Sequence, residues 1–458
     1  MVVNVVILAA GLGTRMKSKH AKVLHRAGGL SLIEHVVQAA LGVTGAEQIT
    51  VVVGHQGEEV KKRLASTGVR FVEQSEQKGT GHAVLAGRAA LETEPGLVVV
   101  LYGDCPLLSQ DTLRQLVDRQ ASGDAAVTLI TTRLEDPTGY GRILFGKRGE
   151  VAAIVEQKAA TQEQLAIQSI NPGIYCFRAE LLWKYIGEIR PDNPAHEYYL
   201  TDMVEILNQA GHTAAAFEVP DAAELLGINT RVELAAADKT FRDRKVRELM
   251  LEGVTIERPE TVTVDGQARI GEDSIVEPSA RILGRTTIGA DCRIGAGSII
   301  ENSELADGVH IAPFTSIADS RIEAGAHIGP FARLRNGNRI GADAHIGNFV
   351  ELKNTQFGDG AKASHLAYLG DSEIGEQSNI GAGTITCNYD GVKKHRTRIG
   401  RKAFVGSNST LVAPIEIGEG SYIGAGSVIT KPVPADALAL GRAQQVVKEG
   451  WVAKKKQK

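Results

Sequence analysis

Two hydrophobic periodicities divide the chain. Over residues 1–229, short β-branched runs alternate with amphipathic stretches, the pattern of strands and helices in an α/β domain. The strand candidates are residues 2–10, 49–53, 69–72, 97–102 and 126–131, and the helical stretches between them are 32–41, 58–64, 82–91 and 112–120. This order predicts a mostly parallel, Rossmann-like sheet with helices on both faces and ligands at the carboxyl ends of its strands.

Over residues 230–250 the glycines disappear and Arg, Lys, Glu, Leu and Ala dominate, which predicts a linker helix capped by Thr230 and stopped by Gly253. From residue 251 an aliphatic residue followed by Gly, Ala or Glu recurs every sixth position, beginning at Ile270, Val276, Ile282, Ile288, Ile294 and Ile300. That period fits neither an α-helix nor an amphipathic strand. It fits a parallel coil of three short flat faces that stacks its aliphatics in one core. The period lapses between Leu352 and Ile374 and again between Ile380 and Ile399. Polar residues crowd both lapses, and insertions in a solenoid are where sites are built.

Composition narrows the functional classes. A net charge of -3, 43% hydrophobic residues and 23% charged ones describe a soluble chain with no global basic excess for nucleic acid. Anion binding must therefore be local. Cys105, Cys176, Cys292 and Cys387 are scattered without a CxxC pair, which argues against a zinc site or a disulfide framework and fits a reducing cytoplasm. No apolar run reaches the length of a membrane span, and the apolar opening lacks the basic flank of a signal segment and reads as a buried strand. Lys454, Lys455, Lys456 and Lys458 read as a solvated tail.

The first chemical motif is Leu8-Ala9-Ala10-Gly11-Leu12-Gly13-Thr14-Arg15-Met16, which leaves a strand through a glycine loop and then offers an arginine. Small residues let backbone N–H groups approach a phosphate chain, and Arg15 can add charge at its far end. Met16 replaces the third glycine of a dinucleotide fingerprint. Asp104 ends the strand 97–102, where a carboxylate can hold Mg²⁺. A bare glycine turn and a helix-capping aspartate are the structural alternatives.

LAAGxGTRM, KVLH at 22–25, QxxxxGTGHA at 74–83 and YGD at 102–104 resemble nucleotidyltransferases of the N-acetylglucosamine-1-phosphate uridylyltransferase type. The resemblance continues through 136–142, 154–156, 197–202 and 227–229. It implies that Leu8, Ala9, Ala10, Gly11, Gln74, Gly79 and Thr80, with Lys22, Tyr102 and Gly103, hold UTP. It implies that Gly141, Glu156 and Asn171 hold the amino sugar, and that Asp104 and Asn229 ligate Mg²⁺. Pro172 follows Asn171 where the family commonly has threonine. A sugar-phosphate oxygen would attack the α-phosphorus of UTP in line as pyrophosphate leaves, with Arg15 and Lys22 stabilising the charge.

In the second half, Lys362 to Asp371 places His365 among small and polar neighbours, and repeat counting brings Arg335, Lys353, Tyr368, Asn379, Asn388 and Tyr389 near it. PFARLR, GNFVE, HLxYLGD and NIGAGTITCNYDG resemble the acetyltransferase half of the bifunctional uridylyltransferase and glucosamine-1-phosphate acetyltransferase family. The resemblance implies a left-handed coil that assembles as a homotrimer. It implies that His365 takes the proton of the sugar amine as it attacks acetyl-CoA, with Glu351 as orienting partner. Arg335, Lys353, Tyr368 and Asn379 would hold glucosamine 1-phosphate. Ala382, Asn388, Tyr389, Ser407, Ala425 and Arg442 would line the coenzyme A groove.

Together these readings imply a bifunctional enzyme of UDP-N-acetylglucosamine and cell-wall synthesis. Its domains would be 1–229 for uridylyl transfer, 230–250 as linker and 251–458 for acetyl transfer. The competing reading is a single-activity nucleotidyltransferase whose coil is only a trimerisation scaffold. A scaffold has no chemical need for His365, Tyr368, Asn388 and Tyr389 within the lapses of its own repeat.

Overall fold

The structure is a computed structural model that describes residues 1–54, 56–91 and 96–456. It forms two compact units, Met1–Phe241 and Arg242–Lys458.

In the first unit, the strand Val3–Ala9 is buried nearly throughout and pairs in parallel with both Ile49–Val53 and Leu97–Tyr102. Arg70–Glu73 extends this parallel half beyond Ile49–Val53. The sheet then changes direction, because Tyr175–Arg178 runs antiparallel to both Leu97–Tyr102 and Val127–Arg133. Gly141–Phe145, Val151–Val155 and Ser169–Asn171 continue the antiparallel half, and Ala214–Glu218 lies parallel to Val127–Arg133. The sheet is thus mixed, not mostly parallel as the alternation predicts. The strands added beyond residue 140 follow one another through short connections, which force antiparallel pairing. The predicted helix 82–91 is two short ones, Thr80–Ala86 and Arg88–Leu91, separated at Gly87, a weak helix former.

The chain crosses between units inside the helix Arg231–Leu251. Its start carries a reciprocal cap, since the Thr230 hydroxyl accepts from Glu233 N (3.2 Å) and the Glu233 carboxylate accepts from Thr230 N (2.9 Å). Past its end, Gly253 adopts φ 94°, the left-handed stop that glycine tolerates. Within the first unit Phe241 stacks on His35 at 3.9 Å, and Asp238 accepts from Gly28 N at 2.8 Å. Within the second, Val246 and Leu249 join the aliphatic core of the coil.

That second unit is a left-handed parallel β-helix of three sheets. Each wall is an inward ladder held in register, such as Ile282, Ile300, Ile317, Leu334, Leu352 and Leu369. The first expected lapse is not one. Phe357, Ala363 and Leu369 take the inward positions between Leu352 and Ile374, all essentially inaccessible, so the coil is continuous there. A large aromatic and a small alanine fill the core where the aliphatic pattern fails. The second lapse is a true excursion. Thr386 stays inside, then residues 388–396 leave the coil as a small hairpin in which Tyr389 bridges Lys394. Phe314, Phe331 and Phe349 stack outside one corner with centroids 5.4 Å apart, exposed and in the left-handed backbone region.

No described helix is long and apolar enough to cross a membrane. All four cysteines are free. Lys454, Lys455 and Lys456 end an exposed terminal helix, and Lys458 lies outside the described residues.

Candidate functional site

Two groups of polar side chains converge, one in each unit. In the first, a cavity of about 380 Å³ opens at the carboxyl ends of the parallel strands. That volume suits a small organic ligand. Leu8, Ala9, Ala10 and Gly11 form one wall, Gln74, Gly79 and Thr80 another, and Tyr102, Asp104, Lys22 and Asn229 the floor. Gly79 takes φ 109°, and a Cβ there would sit 2.6 Å from the Tyr198 carbonyl, so only glycine lets the chain enter the helix Thr80–Ala86 at this angle. Gly103 donates to the Leu8 carbonyl at 2.9 Å, which ties the end of the strand Leu97–Tyr102 to the glycine loop.

Lys22, Asp104 and Asn229 form the electrostatic centre. The Lys22 ammonium pairs with the Asp104 carboxylate and donates to Asn229 Oδ1 at 3.1 Å. Both members of the ion pair are largely withdrawn from solvent, with 13% and 15% of their side chains exposed. Ile228 N donates to the Asp104 carbonyl at 2.8 Å, which brings Asn229 to the aspartate. A carboxylate and an amide oxygen directed at one cation are a donor set that fits Mg²⁺. Arg15 is not brought in: it is exposed on the turn Thr14–Met16 and does not line the cavity. Gln77, which the motif reading passes over, donates from Nε2 to the Ala10 carbonyl at 2.8 Å and holds the glycine loop.

Gly141, Glu156 and Asn171 lie together beyond Tyr102. Asn171 is opposite Gly141 across two antiparallel strands, and Glu156 Oε1 stands 3.5 Å from where a Gly141 Cβ would be. Asn171 donates to the Tyr175 hydroxyl at 2.7 Å and accepts from Gly173 N at 3.1 Å, so Pro172 sits inside a tight loop closed by the asparagine itself. The Tyr102 ring packs on Gly173 with no room for a Cβ and so joins this floor to the cavity. Burial pushes the Glu156 carboxyl above its ordinary range. Burial, with the Glu205 charge, pushes nearby Asp202 up to about 6.

In the coil, register replaces sequence proximity. His365 ends the strand Lys362–His365 opposite Asn348, and His365 Nδ1 lies 2.6 Å from Asn348 Oδ1. Glu351 does not orient it. That carboxylate instead binds Arg335, at 2.8 Å from Nε and 2.7 Å from Nη2.

Arg335, Lys353 and Gly370 occupy one row on successive rungs, with Tyr368 two positions away along the strand, opposite Glu351. A Cβ at Gly370 would lie 2.5 Å from the Tyr368 hydroxyl and 2.7 Å from Asn388 Nδ2, so the missing side chain is what lets these two groups converge. Asp371 organises the cluster, accepting from Asn354 at 2.7 Å and Asn388 at 2.5 Å, with Lys353 Nζ at 3.9 Å. Burial alone would raise its pKa. The two amide hydrogen bonds and the lysine charge outweigh burial and lower it.

Lys394, on the hairpin, is a further member. Its ammonium lies close to that of Lys353, and this neighbouring like charge lowers its pKa. Two ammonium groups held against each other beside Arg335 mark a place prepared for an anion. The excursion already contains Lys394, but nothing in its local sequence says that the hairpin folds back onto Lys353.

Asn379 pairs with Lys362, at the opposite end of the strand from His365. Ala382, Ser407 and Ala425 line up along the His365 corner. Asn408 N donates to the Ala382 carbonyl at 2.7 Å, Gly426 N to that of Ser407 at 2.8 Å, and Arg442 Nη1 to that of Ala425 at 2.9 Å. Tyr389 projects from the hairpin, mostly exposed, its hydroxyl on the Gly391 carbonyl at 2.6 Å.

The MobA-like NTP transferase domain family matches residues 5–168, and the bacterial transferase hexapeptide family (six repeats) matches residues 267–302 and 396–431. The chain is 62% identical over 453 residues to the Bifunctional protein GlmU of Solibacter usitatus (strain Ellin6076), covering 99% of this chain and 97% of that protein. It is 50% identical over 455 residues to that of Koribacter versatilis (strain Ellin345), with 99% and 97% covered. To that of Shouchella clausii (strain KSM-K16) it is 44% identical over 449 residues, with 98% of each covered.

Proposed function

The chain belongs to the bifunctional GlmU family, and from that premise we propose that its two units carry out consecutive transfers on one amino sugar phosphate. It is a bifunctional uridylyltransferase and acetyltransferase. The coil acetylates glucosamine 1-phosphate from acetyl-CoA. The sheet unit then transfers UMP from UTP to the product and forms UDP-N-acetylglucosamine and pyrophosphate. The observation that carries this reading is the pair of converging clusters, Lys22 with Asp104 and Asn229 in one unit and His365 with Asn348 in the other.

For acetyl transfer, Asn348 Oδ1 accepts from His365 Nδ1–H, which leaves Nε2 as the bare acceptor. The sugar amine attacks the thioester carbonyl, Nε2 takes the amine proton, and coenzyme A leaves as the C–S bond breaks. Lys353, Lys394 and Arg335 hold the phosphate, with Tyr368 and Asn379 on the sugar. Ala382, Asn388, Tyr389, Ser407, Ala425 and Arg442 follow the coenzyme along the corner.

For uridylyl transfer, the glycine loop Leu8–Gly11 with Gln74, Gly79 and Thr80 holds UTP beside Tyr102 and Gly103. Gly141, Glu156 and Asn171 hold the acetylated sugar. Its phosphate oxygen is already anionic, so no base is needed; it bonds to the α-phosphorus while the bond to pyrophosphate breaks. Asp104 and Asn229 hold Mg²⁺, which supplies positive charge to the phosphates. Lys22 lies in the cavity to receive charge on the transferring group, whereas exposed Arg15 must reach in from the rim.

The exposed Phe314, Phe331 and Phe349 column supports assembly into a homotrimer, because a stacked apolar corner is normally covered. Placement in the cytoplasm agrees with four free cysteines. The functional boundaries follow the sequence, with uridylyl transfer in 1–229, a linker at 230–250 and acetyl transfer in 251–458. The test supplies the purified protein with glucosamine 1-phosphate, acetyl-CoA, UTP and Mg²⁺ and follows thiol and pyrophosphate separately. Both products should appear, with pyrophosphate dependent on acetyl-CoA until N-acetylglucosamine 1-phosphate is added. Pyrophosphate without any thiol would leave the coil as a scaffold.

A further inference from the structure

In the first unit Lys22 does not merely line the cavity; its ammonium stands between Asp104 and Asn229, the two oxygen donors that would hold a divalent cation. We infer that Lys22 is the resident counter-cation of the nucleotide-free site, and that a metal enters only when phosphate draws this ammonium away. The inference rests on the uridylyl-transfer reading and adds an order of events to it.

Three observations carry it. First, the Asp104 carboxylate is mostly withdrawn from water, where a charge left without a partner is costly. Second, the lysine is anchored close by. Gly13, at φ 60°, packs so tightly on Lys22 that a Cβ there would lie 2.6 Å from Lys22 Cβ, which fixes the root of the side chain while its tip stays free to swing. Third, the donors stay assembled by other bonds. Asp104 is tied to Ile228 through the backbone at 2.8 Å, and Asn229 donates from Nδ2 to the Gly227 carbonyl at 3.2 Å. The two oxygens therefore keep their places when the ammonium departs.

The consequence is a competition between two cations for one carboxylate. A divalent ion alone must displace an ammonium that is covalently tethered beside its target, and it brings no new anion to receive that ammonium. A divalent ion arriving with a polyphosphate brings that anion with it. Metal and polyphosphate thus bind cooperatively, and the site refuses free metal.

The experiment measures Mn²⁺ binding to the full-length protein by electron paramagnetic resonance, without nucleotide, in the parent and in Lys22→Met, Lys22→Gln and Lys22→Met/Asp104→Ala. Methionine keeps the length of the stem without the charge, and glutamine still offers Asp104 a donor should methionine fail to fold. Acetyl transfer and the thermal midpoint, read on each preparation, report folding. The expected result is Mn²⁺ affinity at least tenfold tighter in both single variants than in the parent, and loss of that binding in the double variant. Inorganic pyrophosphate should tighten Mn²⁺ binding to the parent by a larger factor than in Lys22→Met. Equal affinity in the parent and the folded single variants, with binding still lost on Asp104→Ala, overturns the inference and leaves the metal assignment standing. Binding that survives Asp104→Ala overturns both.

Discussion

Asn348 and His365 stand opposite each other on adjacent rungs of the coil, their side chains joined at 2.6 Å, although the sequence separates them by a whole turn. The amide fixes which imidazole nitrogen carries hydrogen and which way the ring faces. His365→Ala should lower acetyl transfer by about 10²- to 10⁴-fold, the usual contribution of a positioned base. Asn348→Ala should cost about 10- to 100-fold, by analogy with partners that orient metal-ligating histidines. It should lower kcat with little change in KM, and uridylyl transfer from added N-acetylglucosamine 1-phosphate should be unaffected in both variants. Parental thiol release by Asn348→Ala would mean that the ring is oriented by something else.

Asp104→Ala removes the charged oxygen donor that stands with Asn229 on the Lys22 ammonium. Pyrophosphate release should fall by at least about 10²- to 10³-fold, the scale of losing one preorganised electrostatic group, and raising Mg²⁺ should not restore it. Acetyl transfer, measured on the same preparation, should continue. Near-parental pyrophosphate release would place the metal elsewhere.

Gly11 offers a cleaner probe of the glycine loop than a large substitution. A Cβ at this position meets no protein atom within 4 Å, and the residue lines the cavity. Gly11→Ala should therefore leave the thermal midpoint unchanged while raising the KM for UTP by about tenfold, since the methyl enters space that the phosphates need. An unchanged KM would show that the nucleotide passes on the far side of the cavity.

The sequence discloses most where one residue does one repetitive job. The six-residue ladder is visible because Ile282, Ile300, Ile317 and Leu334 all do the same thing in the core. It vanishes at Phe357 and Ala363, where a bulky and a small side chain share the volume that aliphatics fill elsewhere. The parallel half of the sheet is legible from its buried β-branched strands. The antiparallel half is not, since strands such as Val151–Val155 and Ser169–Asn171 are short and partly exposed. In the sites, Lys22, Asp104 and His365 are found through their motifs. Asn348, Asp371 and Lys394 act through partners one rung away or across a hairpin, and local sequence carries no such distances. The family resemblance offers Glu351 as the partner of His365, and the geometry gives it to Arg335 instead.

The coil also carries a row of histidines that should make its stability depend on pH. His310, His327 and His345 project outward on consecutive rungs, with ring centroids 5.3 and 6.5 Å apart. Arg293 precedes the row and Lys362 follows it, with His365 near the far end and Glu277 as the carboxylate near its start. Burial lowers the pKa of His310 and of His345, and the neighbouring His327 lowers both further. A base whose pKa lies lower in the folded state takes up protons first when unfolded. Its contribution to stability is therefore intact above the ordinary value of 6.5 and is lost as the pH falls from there through the folded pKa. Between pH 7.5 and 5.5 most carboxylates stay ionised, so the histidines dominate the change. The thermal midpoint of the coil should fall over this interval, and the double variant His310→Gln/His345→Gln should fall less. A loss of about 1 kcal/mol moves the midpoint of a domain this size by about 2–4 °C, well within calorimetric resolution. Equal slopes for parent and double variant would show that the row titrates as freely in the folded coil as in the unfolded chain.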